Sequence, residues 1–128
     1  ELALLEAFFR SQAASPVARF GVARAMKDAS GGRDALAAEV SGGYVSDLLS
    51  NVMGRAAPGD IWVTMQGHQN IVAVASLAGL SAVVVAGGAI PEEETVAKAD
   101  AEGVALLTSA MASFELVGQL YQLGVRGR

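Results

Sequence analysis

DIWVTMQGHQNIVAVASLAGLSAVVVAGG, residues 60 to 88, decides the fold. Ile61-Trp62-Val63-Thr64-Met65 is a short run of β-branched, aromatic and apolar residues between Gly59-Asp60 and Gly67. That is the pattern of a strand buried on both faces. From Gln69 onward, Ile71, Val72, Val74, Ala75, Leu77 and Ala78 lay a broad apolar stripe along a helix. Gly79 falls where a helix C-terminus turns through positive φ, a conformation glycine takes without a Cβ penalty. Ala82 to Ala86 is a second continuous apolar run, so the stretch reads as strand, polar turn, helix and parallel strand.

The same pattern extends in both directions. Upstream, Ala38 to Val45 reads as a short strand running into the Gly42-Gly43 turn, Ser46 as the N-cap of a helix, and Asp47 as the acid at its positive end. Leu48, Leu49, Val52 and Met53 give that helix one apolar face, and Pro58-Gly59 turns the chain into the next strand. Downstream, Pro91-Glu92-Glu93-Glu94 is a helix start, with carboxylates at the positive end of the dipole. Val96, Ala97, Ala99 and Ala101 are expected to face the sheet, and Val104 to Leu107 to form a third apolar strand. Ser113 reads as the cap of a last helix whose Phe114, Leu116, Val117, Leu120 and Tyr121 face inward. Gly79, Gly103 and Gly124 recur 24 and then 21 residues apart, the spacing of successive βα units and too few to close a barrel. The expected fold is a three-layer α/β sandwich with a small, mainly parallel sheet.

The 128 residues, 52% of them hydrophobic, suffice for one domain with a core of small aliphatic side chains. A net charge of −4, with nine scattered basic residues, argues against nucleic acid as a partner. With no cysteine there is no disulfide, thiolate metal site or cysteine nucleophile, which is compatible with a cytoplasmic protein. No apolar run approaches the roughly 20 residues that span a bilayer. The first 37 residues read as a helical segment ahead of the α/β domain at 38–128. Leu2, Leu4, Leu5, Phe8 and Phe9 form a helix-period cluster, Pro16 interrupts it, and Val17 to Ala29 is a second helical candidate. The first residue is Glu1 rather than Met, which leaves upstream sequence open.

In open α/β sheets ligands sit beyond the carboxyl ends of the strands. Here those positions hold Gln66, Gly67, His68, Gln69 and Asn70, then Gly87 and Gly88, then Thr108 and Ser109, with Gly42, Gly43 and Tyr44 as further candidates. The group is polar, glycine-rich and poor in charge, suited either to cradling an anion or nucleotide or to forming a solvated rim of turns. His68, the single histidine, is a candidate base, phosphate donor or pH switch. The alternative is a histidine beside a helix start, bonded to a backbone carbonyl or to Asp47. Ser109, Ser113, Asp60 and Asp47 are available triad partners, but no G-x-S-x-G elbow, Walker A loop or G-x-G-x-x-G fingerprint occurs, and no catalytic residue, cofactor or metal ligand is assigned. The carboxylates of Glu92 to Glu94 diverge around a helix, which disfavours a metal site.

Five pieces in order carry a family resemblance: Ser41 to Ser50 (SGGYVSDLLS), Gly59 to Thr64 (GDIWVT), His68 to Ala75 (HQNIVAVA), Ala86-Gly87-Gly88 with Pro91, and Ser113 to Leu116 (SFEL). Over about residues 38 to 125 the chain resembles the DRTGG domain, with Glu39 to Gly43 nearest to the eponymous letters. The resemblance implies a non-catalytic regulatory module similar to the N-terminal domain of HPr kinase/phosphorylase and to inserts in CBS-domain pyrophosphatases. It implies self-association and contact with a partner enzyme, with hydrogenase or another redox complex as the suggested class. The competing expectation is a sensor that binds an adenine nucleotide or other anion at the strand ends.

Overall fold

The computed structural model describes residues 40–122 and 124–127, and the expected helical segment over residues 1–37 lies outside the described residues. Strands and helices alternate as β1 (Gly42–Val45), α1 (Leu49–Arg55), β2 (Asp60–Thr64), α2 (Asn70–Ala78), β3 (Ala82–Val85), α3 (Glu93–Glu102), β4 (Leu106–Thr108) and α4 (Ser113–Gln122). The sheet order is β1-β2-β3-β4 and every neighbouring pair is parallel. Gly42 stands opposite Asp60, Ile61 opposite Ala82 and Val83 opposite Leu106. Beyond β1 the chain end adds one parallel bridge, Gly43 to Gly127, in which the Gly43 N–H donates to Arg126 O at 2.9 Å.

Side-chain alternation along the strands divides the core in two. Ile61, Val63, Ala82, Val84 and Leu107 pack with Leu116 and Leu120 of α4. Trp62, Val83, Val85 and Leu106 pack on the opposite face with Val52 of α1, Ile71, Val72 and Ala75 of α2, and Val96 and Ala99 of α3. Three helices therefore cover one face and α4 the other, the three-layer α/β arrangement expected from the βα repeat. All five residues of β2 and all four of β3 are buried, which is why both read as unbroken apolar runs. Trp62 is fully buried, and its indole N–H donates to Ser46 O at 2.8 Å, so the largest core side chain leaves no polar atom unsatisfied. Among the described residues no helix is long and apolar enough to cross a membrane.

The structure departs from the sequence expectations at helix starts and outer faces. Gly42 and Gly43 belong to β1 rather than to a turn after it. A Cβ on Gly43 would meet Val125 Cγ1 at 3.0 Å, so the absent side chain admits the segment after α4. Ser46 does not cap α1: the helix begins at Leu49 behind Leu48, and Ser46 Oγ accepts the Leu48 N–H at 3.1 Å, short of the helix. β4 covers Leu106–Thr108, slightly later than expected. On α3, Ala97 and Ala101 are exposed while Thr95 is buried, because its hydroxyl donates to Gly67 O at 2.6 Å. Leu48, Met53 and Leu77 are exposed rather than buried. Phe114 and Tyr121 also face away from the sheet, where the Arg126 guanidinium lies 3.7 Å from the Tyr121 ring centroid.

Gly79 closes α2 at φ 69°, in the left-handed region, and the following Leu80 N–H returns to Ala75 O at 3.0 Å. Gly79→Ala is expected to cost about 1–2 kcal/mol, since the strain is conformational and an added Cβ meets Pro58 only at an ordinary 3.5 Å. Gly54→Ala, near the end of α1 with nothing within 4 Å of an added Cβ, is expected instead to stabilise by roughly 0.5 kcal/mol. Urea unfolding of the two variants should move the midpoint in opposite directions.

Candidate functional site

The parallel register brings the turns after the strands to one end of the sheet. Gln66, His68, Gln69 and Asn70 follow β2, Gly87 and Gly88 follow β3, and Thr108 and Ser109 end β4. Gly42, Gly43 and Tyr44 are not in this group: they pair with Asp60, Ile61 and Trp62 within the sheet, and Ser46 and Asp47 occupy the rim after β1. The Tyr44 hydroxyl donates to Asn51 Oδ1 at 2.6 Å, on the side of α1. The turns after β1, β2 and β3 lead to the face of α1–α3, whereas the turn after β4 leads to α4. Connections to opposite faces open a crevice between neighbouring strands, so the place for a ligand by that rule is between the ends of β3 and β4.

That crevice is closed by the backbone. The Gly87 N–H donates to Met111 O at 2.7 Å and the Gly88 N–H to Ser109 O at 2.9 Å, while the Ser109 N–H donates to Val85 O at 3.0 Å. The two glycines join the β3 turn to the β4 turn and do not present free amides to a phosphate. Ser109 is buried, and its Oγ accepts the Met111 N–H at 3.1 Å.

Asp47 organises the other half of the rim. Its carboxylate accepts the Thr64 hydroxyl and the Met65 N–H, both at 2.7 Å, and its backbone carbonyl accepts the Gln66 side-chain amide. The Thr64 hydroxyl in turn accepts the Gln66 N–H at 3.2 Å. Asp47 therefore serves β2 rather than the α1 dipole, because two directed donors outweigh the field of a short helix end. Gly67 O accepts both the Glu92 N–H at 3.0 Å and the Thr95 hydroxyl, tying the β2 turn to the start of α3.

His68 is exposed, and its Nδ1 accepts the Asn70 N–H at 3.1 Å. It stands ahead of α2 as a cap of the first helical amide. The next two amides, Ile71 and Val72, donate to His68 O and Gln69 O. Asp47 is thus not the partner of His68. The N-terminus of α2, like the glycine turns, has its donors engaged within the protein.

What the rim presents outward is apolar and acidic. Leu48 after β1, Met65 after β2 and Ile90 after β3 are 63%, 50% and 69% exposed. The β2 and β3 turns touch: a Cβ on Gly87 would meet Met65 Cε at 3.0 Å, and one on Gly67 would meet the backbone O of Ile90 at 3.0 Å. Glu92, Glu93 and Glu94 adjoin Ile90 and are exposed. The described basic side chains lie elsewhere: Arg55 ends α1, Lys98 faces Glu102 at 3.9 Å, and Arg126 stacks on Tyr121. Sequence reading missed Leu48 and Met65 as exposed groups, since apolar residues beside strands are ordinarily assigned to the core. A cavity of about 230 Å³ lies away from the rim, between Gly43, Ile61 and Val63 of the sheet and Val117, Leu120 and Arg126 near the chain end.

This geometry defines a small parallel α/β domain whose strand-end turns are bonded to one another. No family model matches the sequence, and no curated protein matches it at a significant level. Among solved structures the chain is similar to the CBS and DRTGG domains of the regulatory region of Clostridium perfringens pyrophosphatase, complexed with its activator diadenosine tetraphosphate. The TM-score is 0.53 at 20% identity, over 62% of this chain and 35% of that one, so the match spans about a third of the pyrophosphatase fragment. The likeness is one of fold, and it agrees with the DRTGG-like architecture expected from the sequence.

Asp47→Ala should destabilise the domain by about 1–2 kcal/mol, because the buried Thr64 hydroxyl and the Met65 N–H lose their acceptor. His68→Ala, which removes one exposed cap, should cost no more than about 1 kcal/mol. Chemical denaturation of the two variants side by side checks the order.

Proposed function

We propose that the chain is a non-catalytic regulatory module of DRTGG-like fold that self-associates and contacts a partner enzyme through its strand-end rim. One observation carries this reading: Leu48, Met65 and Ile90 stand exposed on turns in which Asp47, Gln66, Gly87 and Gly88 are bonded within the protein. Exposed large apolar groups gathered on a polar-backed, rigid rim are the makings of a protein-binding surface. Catalysis would need groups free to meet a substrate, whereas the Gln66 and Asp47 side chains and the Gly87 and Gly88 amides are held by the fold. A redox enzyme is the partner class that the DRTGG resemblance suggests.

A second reading, a sensor of adenine nucleotides, is favoured by the regulatory region that shares the fold, whose structure contains diadenosine tetraphosphate. On this chain a nucleotide would have to meet the rim without a described cation beside it and against Glu92 to Glu94. The interaction reading is therefore preferred.

Light scattering at high protein concentration should give a mass above the 13.0 kDa of one chain, falling to one chain in Met65→Asp/Ile90→Asp with unchanged thermal unfolding. A wild-type monomer, or a double variant of undiminished mass, would count against the rim as the contact surface. Calorimetry with diadenosine tetraphosphate separates the second reading: heat that Gln66→Ala and His68→Ala abolish would favour the sensor, and no heat would favour the interaction module.

A further inference from the structure

Helix α4 carries two apolar stripes. Leu116 and Leu120 are buried against the sheet. On the other side Phe114, Val117, Gly118 and Tyr121 follow the i, i+3, i+4, i+7 spacing, and with Val45 of β1 they line an apolar groove. Phe114 is 87% exposed, and nothing lies within 4 Å of a Cβ built on Gly118. A helix apolar on both sides, with a glycine midway along the outer stripe, is shaped for a second helix laid closely against it.

We propose that this groove seats the apolar segment of residues 2–9 of the same chain. Connectivity is the first argument. Val40 packs against the core cluster that holds Leu116 and Leu120, so the described chain begins on the face that, among the described helices, α4 alone covers. Thirty residues, 10 to 39, separate the segment from Val40, and at roughly 3.3 Å per residue they reach any point on a domain of this size.

Chemical fit is the second. Leu2, Leu5 and Phe9 repeat at i, i+3 and i+7, flanked by Leu4 and Phe8, and match the outer stripe of α4 in length and character. The linker that carries the segment is complementary in charge to the domain. Residues 10–39 hold Arg10, Arg19, Arg24, Lys27 and Arg33 against Asp28, Asp34 and Glu39, whereas residues 40–128 hold eight acidic and four basic side chains. Arg10 follows the apolar stripe directly, and Glu115 borders the groove. The groove shares no lining residue with Leu48, Met65 and Ile90, so its test is independent of the function proposed above.

The absence of native cysteine permits a clean test by paired cysteines in the full chain. Glu6→Cys, beside the apolar stripe, is combined with Gly118→Cys in the groove, and in a control with Leu77→Cys, 77% exposed on α2 across the sheet. On mild oxidation of dilute protein, the Glu6→Cys/Gly118→Cys pair should close within single chains at least tenfold faster than the control. Adding Leu5→Asp and Phe9→Asp should remove that advantage. Equal rates for the two pairs would overturn the proposal, and so would cross-links that form only between chains, which would assign the groove to a second copy.

Discussion

Every strand of the sheet runs in the same direction, so the backbone and side-chain polar groups that follow the strands converge on one end. Buried or crowded polar groups must find partners, and here they find each other. The Gly87 and Gly88 N–H groups meet Met111 and Ser109 carbonyls, Asp47 gathers Thr64, Met65 and Gln66, and Gly67 O gathers Glu92 and Thr95. These links fasten β1 to β2, β2 to α3 and β3 to the turn after β4. The rim is therefore part of what holds the layers together.

That constraint shapes the functional conclusion. A loop that cradles phosphate keeps successive N–H groups pointing outward, commonly with a cation nearby. In this domain the Gly87 and Gly88 amides point at carbonyls, and among the described residues the charged side chains of the rim are the carboxylates of Asp47 and Glu92 to Glu94. With these amides directed inward, the exposed side chains of the rim include Leu48, Met65 and Ile90 beside Glu92 to Glu94, and the groove along α4 adds a second apolar surface. The proposed protein contact rests on the first of these surfaces.

The fold was legible because β2 and β3 are buried on both faces and therefore spell continuous apolar runs, and because glycine marks the ends of α2 and α3 at φ near 70°. The rim was legible as a location but not as a network. Glycine pairs signal a turn without saying whether their amides face a ligand or a neighbouring turn, and that depends on β3 and β4 being adjacent. Asp47 was assigned to its nearest helix, although its strongest donors lie seventeen and eighteen residues away at Thr64 and Met65. Gly42 and Gly43 read as a turn because nothing in the local sequence shows that Val125 packs against the strand. The outer stripe of α4 was assigned to the core since helical periodicity cannot separate one apolar face from two adjoining ones. Thr95 was overlooked for the opposite reason, a polar residue buried by one hydrogen bond.

The central claim is that the strand-end amides are engaged with the protein itself. Residue-resolved amide hydrogen exchange tests it directly, read at Met65, Gly87 and Gly88 with and without added ATP and inorganic phosphate. Slow exchange at all three, close to that of the β3 amides and unmoved by either anion, is the expected result. Rapid exchange at Gly87 and Gly88 that slows when an anion is added would show a free cradle and contradict the account.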